Sequence, residues 1–181
     1  EVPAASEDAE VSDPPDDASI SGAQHFAIDP VASSVTYRAY EEFFGRAINT
    51  HAPYTLPIGR TSQVTGTIAV ALTEAGLQIE PTEWLVNVRS LSSDDARRDR
   101  AIQRNYLNSD EQPLARFVPQ AVTGFPPDYA EGELATFNMT GDMTIRTTTR
   151  PVTFDVDAVL AGDVISATAT TRLNMPDFDV Y

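Results

Sequence analysis

The sequence predicts an all-β protein, an up-and-down antiparallel barrel of about eight strands interrupted by one short helix. Three observations lead there. From residue 24 onward, long runs alternate apolar and polar side chains, the period of a strand with one buried face. Short turn sequences join these runs, as in an antiparallel meander. One stretch, "RRDRAIQRNYL" at 97–107, leaves that period and is spaced like a helix.

The strands follow in order. "SSVTYRAYEEFF" sets Val35, Tyr37 and Ala39 on one face. "VTGTIAVAL" does the same for Val64, Ile68, Val70 and Leu72, and "EWLVNV" for Trp84, Val86 and Val88. In "LATFNMTGDMTIR", Ala135, Phe137, Met139, Gly141, Met143 and Ile145 oppose a wholly polar second face. "PVTFDVDAVL" continues with Val152, Phe154, Val156, Ala158 and Leu160, and "VISATATTRL" with Ile165, Ala167, Ala169 and Leu173. "TEAG" and "AGD" are hairpin turns, and "TGFPPDYAEGE" is a longer loop. Long strands on short turns favour a barrel over a Greek-key sandwich.

The inward residues include many small or flexible ones: Ala39, Gly66, Ala135, Gly141, Ala158, Ala167, Ala169, Met139 and Met143. A barrel of this size either fills with side chains or holds one small ligand. Small lining residues favour a cavity; facing Phe and Trp side chains would instead fill it.

The helix has a start, a stop and a face. "SSDD" at 92–95 resembles a capping box, with a hydroxyl cap and acids at the positive end of the helix dipole. Asp94 and Arg98 form an i,i+4 pair. Asp95, Asp99, Ile102 and Tyr106 share one stripe, so Asp99 is expected half-buried, satisfied by Arg98 or a backbone N–H. Asn108, Ser109 and Pro113 end the helix. Arg98, Asp99, Ile102 and Tyr106 therefore read as a latch docking helix to barrel rather than as a reactive site.

Composition narrows the function. The chain has 181 residues, 41% of them hydrophobic, and no apolar run long enough to span a membrane as a helix. No signal-peptide pattern is present. The net charge is -15, and every one of the 12 basic residues is Arg. Such acidity argues against nucleic acid and anionic membranes as partners. It reflects either an arginine bias with selection for solubility, or adaptation to high salt. Residues 1–24 hold seven acids, three prolines and no basic or aromatic residue, so they are expected to be a disordered tail or spacer ahead of a domain at 25–181. The absence of cysteine excludes disulfides and thiolate chemistry.

No catalytic set emerges. His25 and His51 are isolated, with no acid at metal-ligand spacing. Phosphate loops and nucleophile elbows are missing. The paired acids Asp155/Asp157 and Asp177/Asp179 read as solvated charges on outer strand faces.

Several segments together resemble the YceI-like family of bacterial lipid-binding proteins, over about residues 26 to 180. "IDPVASSVTYRAYEEF" is similar to the family's opening strand. "VRSLSSDDARRDRAIQRNYLNSDEQPLARFVP" resembles its most specific block, a Ser-rich turn leading to Arg98 and Asp99 on a helix, then Pro113 and Phe117. "GDMTIRTTTRPVTFDV" is similar through Gly141, Thr144, Ile145, Thr149, Pro151 and Val152, and "TTRLNMPDF" resembles the closing strand. This chain departs from the pattern at Ala32 and near Glu41, where the family often carries His, at Arg146-Thr147 in place of His-Gly, and at Asp179 in place of Gly. Residues 44–63 form a longer insertion than usual. Polar head-group contacts through those histidines therefore do not carry over.

The resemblance implies an extended lipocalin-like barrel with the helix at one end, and a tunnel for an isoprenoid or fatty-acyl amphiphile. It also implies a periplasmic, secreted or surface location, and often a homodimer. No cofactor or metal is expected. The expected tunnel lining is Val35, Tyr37, Ile68, Val70, Trp84, Val86, Phe137, Met139, Met143, Phe154, Val156, Ala167 and Ala169. A second reading is a cell-envelope interaction module using the acidic tail and the 44–63 insertion.

Overall fold

Alternating side chains need a partner surface for the apolar face, and this chain supplies it by curling one sheet on itself. The computed structural model describes residues 20–38, 42–43, 46–47 and 58–181. Its strands are β1 (Gln24–Ala27), β2 (Val35–Arg38), β3 (Glu42–Phe43), β4 (Arg46–Ala47), β5 (Ile58–Thr61), β6 (Val64–Thr73), β7 (Gly76–Glu80) and β8 (Trp84–Asn87). β9 (Leu114–Thr123), β10 (Ala135–Ile145), β11 (Thr148–Ala161) and β12 (Val164–Thr170) complete the set. Eight strands form one sheet in the order β1-β6-β8-β9-β10-β11-β12, with β7 also on β6. Every pairing is antiparallel, and the sheet rolls into a nearly closed barrel. β2 pairs with β5, and β3 with β4, as separate ribbons. β5 joins the body where Arg60 and Ser92 exchange backbone hydrogen bonds of 2.8 and 3.0 Å.

Two hairpins fall at the expected turns, where Thr73 pairs with Gly76 and Ala161 with Val164; a third, closed by Ile145 and Thr148, lies where no turn residue marks it. These pairings fix the register, and β10 keeps its apolar set on one face, whereas on β6 Ala69 and Ala71 are buried and the expected inward Leu72 is 60% exposed. The outer face of β10 and β11 is a polar ladder. Thr136 donates to Asp157 (2.6 Å), Asn138 donates to Asp155 (2.7 Å), and Thr140 meets Thr153 at 3.0 Å. Asp155 and Asp157 are thus cross-strand acceptors as well as surface charges.

A bulge in β9 lies opposite Thr140 and Gly141. Pro119 sits there, fully buried, at a position where a missing N–H costs the ladder little. The fold differs from expectation near the C-terminus. Asp177 and Asp179 are not on a strand, because residues Met175–Phe178 form a 3₁₀ turn. Asp179 then adopts a left-handed φ of 58°, which redirects Phe178 and Val180 into the barrel end. Residues 1–19 of the expected tail, Ala39 and His51, and residues 44–45 and 48–57 of the expected insertion lie outside the described residues.

Candidate functional site: the barrel interior and its two caps

The inner faces build two apolar clusters. The first, at the helix end, contains Val88, Leu91, Leu107, Ile145, Val152, Phe178 and Val180. The second contains Ile79, Phe117, Ala135, Phe137, Met139 and Val156. Met143 and Phe154 pack against both clusters and join them into one lining. Of the expected tunnel residues, Ile68, Val70, Trp84, Phe137, Met139 and Val156 meet in the second cluster, and Tyr37 and Val86 pack on the first. Val35 is half-buried in β2. Ala167 and Ala169 lie on β12 opposite Ala158 and Val156, yet both are exposed. The inner face is therefore deeply buried on β10 and β11 and solvent-accessible on β12.

Aromatic rings run through this interior. Trp84 and Phe117 have centroids 5.8 Å apart, and Phe117 meets Phe154 edge-on at 5.0 Å. Two glycines seat them. A Cβ on Gly66 would fall 2.6 Å from the Trp84 ring, and one on Gly141 would fall 2.7 Å from Phe117 and 2.3 Å from the Val118 carbonyl. Small residues in the sequence favour a cavity, but at these two positions the missing side chain is replaced by a neighbouring ring. Periodicity shows which face a glycine occupies, not what leans over it.

The helix closes one end. Helix α1 (Ala96–Ala101) continues into a single π-helical turn, Ile102–Tyr106. Its cap is Asp95, which accepts the N–H groups of Arg97 (2.7 Å) and Arg98 (3.3 Å), in place of the serine cap the sequence favours. Those two backbone hydrogen bonds, Arg97 first, hold the Asp95 carboxyl below its ordinary value; desolvation opposes them, and the smaller effects of the Arg98 and Arg97 charges act with them. Arg98 pairs with Asp94 at 2.7 Å. Asp99 is half-buried and accepts from the Ser93 N–H (2.9 Å) and hydroxyl (2.6 Å), so the serine turn folds back onto the helix. Gln103 donates to the Leu91 carbonyl at 3.0 Å, a contact that spacing did not single out.

Ile102 packs on the helix-end cluster, whereas Tyr106 is 46% exposed. The π turn explains the difference. Leu107 N bonds back to Ile102 O at 2.8 Å, and the extra residue rotates Tyr106 outward and brings Leu107 into the core.

Loop 124–134 covers the opposite end. Phe125 packs against Phe137 (5.5 Å) and Tyr129 (5.2 Å), and the Tyr129 hydroxyl accepts the Leu160 N–H at 3.0 Å. Gly132 N–H donates to Leu160 O at 2.8 Å. The two aromatics flanking Pro126-Pro127 were the available signal for this second cap. A separate open cleft of about 610 Å³ lies where the chain leaves β12 at the helix end. Arg150, Thr153, Thr171 and Arg172 line it beside Val152 and Phe178 of the apolar cluster. Among the described residues, no group of three His, Cys, Asp or Glu side chains is placed to hold a metal.

A nearly closed antiparallel barrel, apolar within and capped by a helix and a loop, defines a protein of the lipocalin-like fold. The chain belongs to the YceI-like domain family, whose sequence profile matches residues 26–181. A UPF0312 protein of Vibrio parahaemolyticus is 27% identical over 137 residues, covering 72% of this chain and 68% of that protein. Among solved structures, Burkholderia cenocepacia BcnA superposes with a TM-score of 0.62 at 18% identity, covering 84% of each chain. A polyisoprenoid binding domain from Saccharophagus degradans, implicated in plant cell wall breakdown, gives 0.54 at 10% identity, covering 86% of this chain and 76% of that one. These likenesses establish the fold.

Proposed function

We propose that this protein binds and carries a long apolar amphiphile, of the isoprenoid or fatty-acyl type, against the inner face of its barrel, without catalysis. One observation carries the reading. The buried lining of β10 and β11 continues onto β12, where the inner-facing Ala167 and Ala169 are exposed. An apolar chain laid along that strip would lose water contact at about 0.8 kcal/mol per methylene. The Trp84–Phe117–Phe154 rings give the strip a rigid floor. The cleft beside Arg150 and Arg172 supplies guanidinium and hydroxyl donors for a polar head, next to apolar Val152 and Phe178. The name of the Saccharophagus domain supports the class of ligand. Family resemblance supports a location outside the cytoplasmic membrane, which cell fractionation would test.

The test is extraction and native mass spectrometry of purified protein, followed by uptake of a fluorescent polyprenyl or acyl probe. A co-purifying lipid and stoichiometric uptake are expected. Ala169→Trp would fill the exposed inner strip and is expected to cut uptake at least tenfold with little change in stability. A protein that carries no lipid and takes up neither probe refutes the reading.

A further inference from the structure

Residues 174–181 close the helix end of the barrel without being part of its sheet. They form the 3₁₀ turn Met175–Phe178, followed by Asp179, Val180 and Tyr181. Phe178 (2% exposed) and Val180 (4%) insert into the apolar cluster with Val88, Leu107, Ile145 and Val152. The open cleft lies against the same turn. Its lining is residues 150–153 and 171–173 together with 174, 176–179 and 181. Val152 and Phe178 belong to both the cleft and the buried cluster, so this pair stands between solvent and the barrel interior.

The turn is tied down at one residue. Among the described residues, its hydrogen bonds to the rest of the protein all end on Asp179. The Arg146 guanidinium donates to the Asp179 carbonyl at 2.9 Å, and the Thr148 hydroxyl donates to the Asp179 carboxylate at 2.7 Å. The other bonds close within the turn. The Asn174 amide donates to Asp177, the Asp179 N–H to the Pro176 carbonyl, and the Val180 N–H to the Met175 carbonyl. A segment bonded mainly to itself can leave its seat as a unit and keep its own shape. The docked turn also holds Asp179 at a left-handed φ of 58°, a conformation that a residue with a Cβ adopts at a cost. Undocking relieves it.

We infer that residues 174–181 are a displaceable plug. The turn swings out as a unit, withdraws Phe178 and Val180 from the helix-end cluster, and joins the cleft to the interior past Val152. Two hydrogen bonds at Asp179 set how often it opens. For the proposed carrier the plug is the entry gate: an apolar chain with its head in the cleft has to pass Val152, which Phe178 flanks. The entry role rests on that carrier reading; the opening itself does not.

The sequence has no cysteine, so one introduced thiol reports on one place. Val180→Cys puts it in the plug, and Val156→Cys puts it in the middle of β11, where wild-type Val156 is 2% exposed. Cysteine packs as a small apolar side chain, so both thiols start buried. A soluble thiol reagent should label the Val180→Cys protein at least tenfold faster than the Val156→Cys protein. Thr148→Val removes one latch bond, and should speed labelling in the Val180→Cys background about two- to tenfold. Asp179→Ala, which loses the acceptor and strains the left-handed backbone, should speed it further. Without the introduced cysteine, both latch variants should raise the initial rate of uptake of a fluorescent acyl probe by the same factors. Thr136→Val removes a similar hydroxyl bond on the outer face of β10 and should change neither rate. Thermal unfolding checks that each protein is folded, and the uptake rates still decide the matter if a cysteine variant is not. Equal labelling of the two thiols overturns the inference, because the turn then opens only with the barrel. So does faster labelling with unchanged uptake, because the ligand then enters elsewhere. Wild-type protein that takes up no probe refutes the carrier reading and the entry role with it; labelling still reads whether the plug opens.

Discussion

Asp99 shows how a single carboxylate can organise a segment. It accepts both the backbone N–H and the hydroxyl of Ser93, tying the turn before the helix to the helix itself. Replacing it leaves a part-buried N–H without a partner, so Asp99→Ala should cost about 2 kcal/mol in a denaturant titration while leaving the fold intact. Asp95 acts differently. It lies in water, but its carboxylate is held by two backbone N–H groups, and its pKa lies below the ordinary 3.8. A depressed carboxyl contributes stability at pH above its unfolded value and loses it as pH falls through the folded value. Asp95→Asn keeps a capping oxygen without the titration. The variant should therefore lose less stability than the wild type between about pH 5 and pH 2, measured as a shift in thermal midpoint. Ser109 presents the opposite case, a fully buried hydroxyl with no hydrogen-bond partner among the described residues. Ser109→Ala removes an unsatisfied group and should leave stability unchanged or raise it by up to about 1 kcal/mol. The sequence marks Asp99 as half-buried and in need of a donor. It does not show that the donor is Ser93, because that choice depends on how the turn folds back.

Among the elements, β9 and β10 carry the most specific packing. Gly141 lies beside a bulge, under the Phe117 ring and against the Val118 carbonyl. The carbonyl cannot swing aside as a side-chain tip can, so Gly141→Ala should destabilise by about 1–3 kcal/mol, read from chemical denaturation. Phe117→Ala removes the ring that bridges Trp84 and Phe154 and should cost about 3–5 kcal/mol. Both changes should also reduce probe uptake if the rings floor the ligand strip. Strand existence and facing were readable from period-2 alternation, and the eleven residues of β10 follow it throughout. The bulge was not readable, since one extra residue in β9 leaves the alternation of β10 untouched. The helix tells the same story in reverse. Its start and stop lie close to where the sequence puts them, but a π turn inside it exchanges Tyr106 for Leu107 as the core residue. Backbone hydrogen-bond register decides that exchange, and side-chain spacing carries no record of it.

For the whole molecule, the net charge of -15 has two physical origins to separate. If the acidity is an adaptation to molar salt, the thermal midpoint should rise steeply with salt and the protein should be unstable in dilute buffer. If it serves solubility, the midpoint should change little beyond about 0.15 M, where surface charges are already screened. Calorimetry across a salt series separates the two. By itself, the sequence determined the all-β class, the single helix, two of the hairpin positions and the family, because each rests on local periodicity, turn chemistry or a contiguous motif. It also determined which residues face inward along β10 and β11. Only the tertiary structure decided what those residues meet there. The glycines seat aromatic rings, the Pro-rich loop closes the second end, and the inner face of β12 remains exposed. The physical reason is that periodicity is a property of one strand. Filling, capping and exposure depend on which distant strands curl across it, and therefore on contacts between residues far apart in the chain.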